Sequence, residues 1–224
     1  MIMLNYIYSK PRVCKNTNII KTFDRDVKLT MYMSEPVTAI FDNFLSMEEC
    51  DKLIELSKNR LNKSTTVNMD TGTPETITNR SSEGAFFNKT ESDFIINIEK
   101  RTSEIMNWPV ENGEGLQVLY YKTGGEYKPH FDYFPPEIPG SKIHLANSGQ
   151  RVSTLVMYLN DVKDGGGTTF PKLNLTIIPK KGSAAYFEYF NDLGQVNPLS
   201  LHSGDPVIIG EKWIAVKWMR ENRF

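Results

Sequence analysis

The chain contains three histidines, His130, His144 and His202, and the first stands two residues before an acid in the stretch YKPHFDYFPPEIPG, Tyr127 to Gly140. In a strand, residues two apart point to the same side. His130 and Asp132 would then present an imidazole and a carboxylate together, with Phe131 turned the other way. Such a pair supplies two ligands of a mixed nitrogen–oxygen metal site, and a second histidine must come from elsewhere. His144 sits in PGSKIHLANSGQ, which reads as a polar, solvent-exposed loop. His202 sits in PLSLHSGDPV, just before a β-like apolar run, and is the better third ligand. Two histidines and one carboxylate make the facial triad of non-haem Fe(II) sites, which leaves positions open for substrates. Zinc accepts the same donors. A short His-x-Asp motif is weak evidence by itself, and the bland alternative is that His130 and His202 are unrelated polar loop residues.

Lys212 is a second anomaly. In EKWIAVKWM it falls on the same alternate face as Ile214, Val216 and Trp218. A lysine on the apolar face of a buried strand needs an anion, because an unpaired buried charge costs several kcal/mol. Glu211 is adjacent in sequence but points to the opposite face. A dicarboxylate cosubstrate would supply the missing anion; the alternative is a strand-end lysine that snorkels to water.

These side chains need a frame, and 224 residues suffice for one domain with a real core. The 26 basic residues against 27 acidic ones give a net charge of −1, with no basic block. That balance excludes an electrostatic case for nucleic acid or a membrane surface. MIMLNYIYSKPRVC lacks a basic n-region and a long apolar core, so no signal peptide is expected, and no run reaches the length of a membrane span. Cys14 and Cys50 cannot by themselves make a disulfide framework or a thiolate zinc site, which makes a reducing, cytoplasmic setting the expectation. The Asn-, Lys- and Ile-rich usage points to an AT-rich genome such as that of a virus or phage.

Residues 1–34 are polar and irregular and read as an extended arm ahead of a domain spanning 35–224. FLSMEECDKLIELSKNRL predicts a helix with a Ser46–Glu49 capping box and a buried stripe of Met47, Cys50, Leu53, Ile54, Ser57 and Leu61. ESDFIINIEKRTSEIMNW predicts a second, burying Phe94, Ile95, Ile98, Ile105 and Met106. The turn-rich NMDTGTPETITNRSSEG between them suits a mobile loop. After Trp108 come short β-like runs, LQVLYYK, RVSTLVMYLN, LTIIP, GSAAYFEYF, PVIIG and KWIAVKWM, with DGGGTTFPK as a tight turn. The pattern is α+β, with two helices packed on a mainly antiparallel double sheet.

LQVLYYKTGGEYKPHFDYF, RVSTLVMYLNDVKDGGGTTFPK, IIPKKGSAAYFEYF and SLHSGDPVIIGEKWIAVKWMR together resemble the catalytic domain of collagen-type prolyl 4-hydroxylases, which are Fe(II)- and 2-oxoglutarate-dependent dioxygenases. The likeness extends upstream through IFDNFLSMEECDKLIELSKNRLNKSTTV and NRSSEGAFF, so it covers roughly residues 35–224. It implies a double-stranded β-helix, a jelly-roll core, with the N-terminal helices packed on its major sheet. It makes His130, Asp132 and His202 the iron ligands and Lys212 the partner of the distal 2-oxoglutarate carboxylate, with Tyr121 and Thr168 hydrogen-bonding the same cosubstrate. It puts Arg80, Ser82, Tyr127, Tyr133, Arg151 and Trp213 along the substrate groove.

The implied reaction is oxidative decarboxylation of 2-oxoglutarate to succinate and CO2, coupled to hydroxylation of a prolyl residue in a peptide or protein to 4-hydroxyproline. O2 is consumed and ascorbate supports the iron. Tyr120, Lys128 and Gly167 stand where the family often has Arg, Asp and Glu; they flank the implied substrate path rather than the iron. The chain looks like the compact form found in microbes, plants and viruses, with no obligatory partner subunit. The same chemistry on a lysyl side chain, a free amino acid or a nucleobase, and a non-catalytic jelly-roll binding module, are the alternatives.

Overall fold

The structure, a computed structural model, describes residues 18–68, 70–76, 78–191, 193 and 195–224. Its first elements correct the expected arm. Strand β1 (Ile19–Lys21) pairs with β2 (Asp26–Ser34), and β2 pairs with β3 (Val37–Asp42). Residues 1–17 lie outside the described residues, but the rest of the expected lead-in belongs to a sheet, so the domain begins well before residue 35. The signal was present in DVKLTMYMS, where Val27, Leu29, Met31 and Met33 alternate with exposed residues.

Helix α1 (Met47–Lys58) begins with the predicted capping box: Glu49 N–H donates to Ser46 Oγ, and Ser46 N–H donates to Glu49 Oε2 at 2.7 Å. Cys50, Leu53 and Ser57 are buried, whereas Met47, expected in the same stripe, is exposed. Four strands follow: β4 (Asn62–Lys63), β5 (Thr66–Val67), β6 (Pro74–Glu75) and β7 (Glu83–Phe87). Helix α2 (Asp93–Met106), capped by Ser92, buries Ile95, Ile98, Ile105 and Met106. Then come β8 (Leu116–Tyr121), β9 (Tyr127–His130), α3 (Ser141–Ser148) and β10 (Arg151–Tyr158). The chain continues through β11 (Asp164–Gly165), β12 (Thr168–Phe170), β13 (Leu175–Ile177) and β14 (Ala184–Glu188). It closes with β15 (His202–Gly204), β16 (Val207–Ile209) and β17 (Lys212–Arg220).

The major sheet is antiparallel in the order β1-β2-β3-β14-β10-β17-β8-β7-β4, and a minor sheet runs β13-β12-β15-β9. Strand alternation divides the interior in two. Leu155, Met157, Ala184, Tyr186, Ala215 and Met219 face the helices, against Cys50, Leu53, Ile95 and Ile98. Val156, Tyr158, Phe187, Ile214, Val216 and Trp218 face the minor sheet and its Phe170 and Ile177. The space between the sheets is where functional side chains converge. The DGGG turn is built as its glycines require: Gly165 has φ +75°, and a Cβ there would sit 2.3 Å from Pro206 O.

Candidate active site

Strands β9 and β15 are antiparallel neighbours with His130 directly opposite His202, and the imidazole centroids lie 4.4 Å apart. Asp132 follows in the bend just beyond β9, so strand alternation is not what unites the pair; the chain's turn brings the carboxylate back toward the histidine. His130 Nε2 is 3.5 Å from Asp132 Oδ1, and His202 Nε2 is 3.6 Å from Asp132 Oδ2. One ligand atom from each residue lies within 4.8 Å of the others. His144 is elsewhere. It sits on α3 rather than in a loop, stacked on Phe134 with centroids 4.9 Å apart, and its Nε2 lies 2.9 Å from Gly72 O.

The backbone fixes the imidazoles' direction. His130 Nδ1 lies 2.9 Å from Lys128 O, and His202 Nδ1 lies 3.0 Å from Ser200 O, so each ring donates Nδ1–H to the carbonyl two residues back. Each Nε2 then turns a lone pair toward the carboxylate, a donor set that repels itself unless a cation lies between. Burial, then the proximity of His130, pushes the His202 imidazolium down to about 4, so the ring is neutral at pH 7. Burial alone would raise the Asp132 carboxyl, but it is held well below the usual carboxylate range, with the Arg151 guanidinium among the causes. The donors, their protonation and their closeness fit a divalent metal.

Asp132 Oδ2 is held from the major sheet. Thr154 Oγ1 donates to it at 2.6 Å and Trp218 Nε1 at 3.0 Å, with Tyr189 Oη at 3.5 Å. The Arg151 guanidinium lies 4.2 Å from the Trp218 ring, bonds Glu114 through Nε at 2.7 Å and a second nitrogen at 2.8 Å, and reaches Asp132 O at 3.3 Å.

Lys212 is 2% exposed, and its Cα lies opposite Tyr121 across β17 and β8. Burial pulls its ammonium down to about 8. Its nitrogen reaches Gly167 O at 3.4 Å and forms no ion pair among the described residues, which answers the snorkelling alternative. Thr168 lies beside Gly204, whose Cβ position would be 3.7 Å from the ammonium. Tyr158 Oη donates to Thr168 Oγ1 at 2.9 Å, which leaves the threonine's own proton free to donate. The buried Tyr121 hydroxyl is within hydrogen-bonding reach of Ser82 and Arg80. A buried cation with no ion-pair partner among the described residues, 5.6 Å from the centre of the Tyr121 ring, fits an anionic ligand.

The expected groove residues divide. Arg80 is buried rather than solvated: it donates from Nε to Ser82 Oγ at 3.1 Å and lies 4.9 Å from the Tyr127 ring, which itself stacks on His130 at 3.5 Å. Tyr133, partly buried, approaches Tyr189 at 6.4 Å. Trp213 is misplaced by the sequence expectation. It belongs to the helix-facing core, packs on Tyr120 at 4.6 Å and donates to Glu211 Oε1 at 3.0 Å. The same alternation that turns Lys212 inward turns Trp213 outward, and it carries Tyr120 away from the site too. Arg151 is near the site, but Glu114 already claims its guanidinium. Thr154, Tyr189 and Trp218 were missed. Trp218 shares the face of Lys212, and Thr154 is a polar residue inside an apolar strand, so both left a trace; Tyr189 left none.

A family model described as the 2OG-Fe(II) oxygenase superfamily matches residues 116–220. Prolyl 4-hydroxylase 5 of Arabidopsis thaliana is 40% identical over 209 residues, spanning 85% of this chain and 70% of the relative. Prolyl 4-hydroxylase 2 of the same plant is 35% identical over 218 residues, spanning 88% of this chain and 71% of the relative. Among solved structures, the 2OG complex of a viral collagen prolyl hydroxylase from Paramecium Bursaria Chlorella virus-1 aligns with a TM-score of 0.62 and 32% identity, covering 82% of this chain and 95% of that one. The two facing sheets are thus the jelly roll of these oxygenases, and the chain belongs to the prolyl 4-hydroxylase family of the 2OG-Fe(II) oxygenase superfamily.

Proposed function

We propose that this chain hydroxylates prolyl residues of peptides or proteins to 4-hydroxyproline, with Fe(II) held by His130, Asp132 and His202 and 2-oxoglutarate held by Lys212. When bound, the ion and its cosubstrate supply oxidative decarboxylation to succinate and CO2, with one oxygen atom of O2 inserted into a C–H bond. The observation that carries the reading is Lys212, a buried ammonium with no ion-pair partner among the described residues, on the same inner face of the major sheet as the groups that hold Asp132. Charge-assisted hydrogen bonds from Lys212 to the distal carboxylate would complete it, with Tyr121 and Thr168 donating their hydroxyl protons.

The rest of the chain's work is orientation and exclusion of water. The two imidazoles present Nε2, His202 as the neutral ring, while Asp132 supplies the negative charge. Tyr127, stacked on His130 with the buried Arg80 guanidinium 4.9 Å from its ring, and the partly buried Tyr133 would offer aromatic surface to an extended chain. Polyproline II suits such a surface, because it is ordered before binding. Ascorbate would keep the iron reduced between turnovers. The test incubates the protein with Fe(II), ascorbate and 2-oxoglutarate, and with Pro-rich peptides or matched Lys-rich and Asn-rich ones. One added oxygen on proline, identified as the 4-hydroxy isomer and matched by succinate, is the expected result. Oxygen appearing only on lysine or asparagine would overturn the prolyl assignment.

A further inference from the structure

We infer that Tyr189 and Thr154 form a hydroxyl relay that fixes which oxygen of Asp132 is left for the metal. Tyr189 donates to Thr154, and Thr154 donates to Asp132 Oδ2. The inference rests on the reading of Asp132 as an iron ligand and goes beyond it in naming two positioning residues.

Proton counting sets the direction. An ionised carboxylate only accepts, and each hydroxyl carries one proton. Thr154 Oγ1 lies 2.6 Å from Oδ2, the distance of a charge-assisted O–H···O bond, so its proton goes to the carboxylate. Tyr189 Oη is in close hydrogen-bonding contact with Thr154 Oγ1 but 3.5 Å from Oδ2. With the threonine proton committed, the phenol must be the donor in the Thr154–Tyr189 contact. Aligned donors polarise one another, so the phenol strengthens the threonine's bond. With Trp218 Nε1 at 3.0 Å, Oδ2 already accepts from two donors although His202 Nε2 lies 3.6 Å from it, whereas Oδ1, 3.5 Å from His130 Nε2, accepts from neither and is the oxygen left for the metal. The arrangement also spans the two sheets. Thr154 and Trp218 are opposite each other on β10 and β17, and Tyr189 follows β14, whereas Asp132 hangs from the minor sheet. The relay thus ties a ligand on one sheet to the other.

The test is Co(II) titration of the full chain, read by the visible absorption of the bound ion, with circular dichroism as a control for folding. Outer partners of metal ligands typically contribute about 10- to 100-fold in affinity. Thr154→Val should lose that much and shift the absorption bands, and Thr154→Ser should restore both. Tyr189→Phe, which removes only the relay's outer member, should weaken binding by roughly two- to tenfold. Tyr189→Phe should cost nothing further on the Thr154→Val background, because the phenol acts through the threonine. Tyr186→Phe, whose hydroxyl bonds Glu188 on the helix-facing side, should bind like wild type. Wild-type affinity in both Tyr189→Phe and Thr154→Val, or losses that simply add in the double variant, would overturn the relay while leaving the proposed function standing. A wild-type protein that takes up neither Co(II) nor Fe(II) would bring down the metal-site reading itself.

Discussion

Replacing Lys212 by Met should make the ligand-free protein more stable and its cosubstrate binding far weaker. The side chain is 2% exposed on the inner face of the major sheet, and its ammonium is pulled from an ordinary 10.5 down to about 8 by burial, with only Asp205 opposing. That fall corresponds to roughly 3 kcal/mol against the charged form in the folded state. The folded pKa is below the unfolded one, so between about 8 and 10.5 the unfolded chain binds more protons and stability rises with pH. The penalty is therefore fully present below about pH 8 and relieved above 10.5. Methionine keeps the length of the stem without the charge. At pH 7 the variant should gain up to about 3 kcal/mol, and a domain of this size moves by about 2–4 °C in Tm per kcal/mol. A rise of roughly 6–12 °C follows, shrinking as the pH approaches 10.5. With 2-oxoglutarate present the order should reverse, because a buried charge left without its partner costs about 2–5 kcal/mol, or about 30- to 5,000-fold in affinity. Thermal unfolding of both proteins with and without 2-oxoglutarate, across pH 7 to 10.5, measures all of this. A variant less stable than wild type at pH 7, yet equally stabilised by 2-oxoglutarate, would refute the argument.

His130→Ala and His202→Ala should each abolish Fe(II) binding and succinate release while the domain stays folded; His144→Ala should retain both, because His144 contacts Gly72 and Phe134 rather than the ligand cluster. Trp218→Phe removes a donor to Asp132 Oδ2 and should weaken metal binding about tenfold or more, whereas Trp213→Phe, on the opposite face, should leave Fe(II) and 2-oxoglutarate affinities near wild type in direct titrations. Glu99 on α2 and Lys217 on β17 form a buried ion pair at 2.5 Å; Glu99→Gln should cost about 3–5 kcal/mol in chemical denaturation, and adding Lys217→Met should recover most of it.

Much of the site is legible in the sequence itself. A polar residue placed where an apolar one is cheaper needs a reason, and Lys212 on the inner face of β17 gave one from its spacing alone. The His-x-Asp pair and the choice of His202 over His144 were likewise readable, because residue type and flanking pattern separate a strand-borne ligand from a polar segment. Helix α1 announced itself through Ser46 and Glu49, since a capping box is a local interaction complete within four residues. Local rules also failed where they were misapplied or averaged: Trp213 was one residue out of phase with Lys212, and the alternation in DVKLTMYMS was hidden by its mean polarity. The tertiary structure alone decided what lies across a gap. That Asp132 turns in a bend and meets His202, that Thr154, Trp218 and Tyr189 grip one of its oxygens, and that Glu114 occupies Arg151 all depend on strands distant in sequence lying side by side. Register and sheet order set those meetings. They arise from packing two whole sheets against one another, and no window of sequence around any of these residues contains its partner.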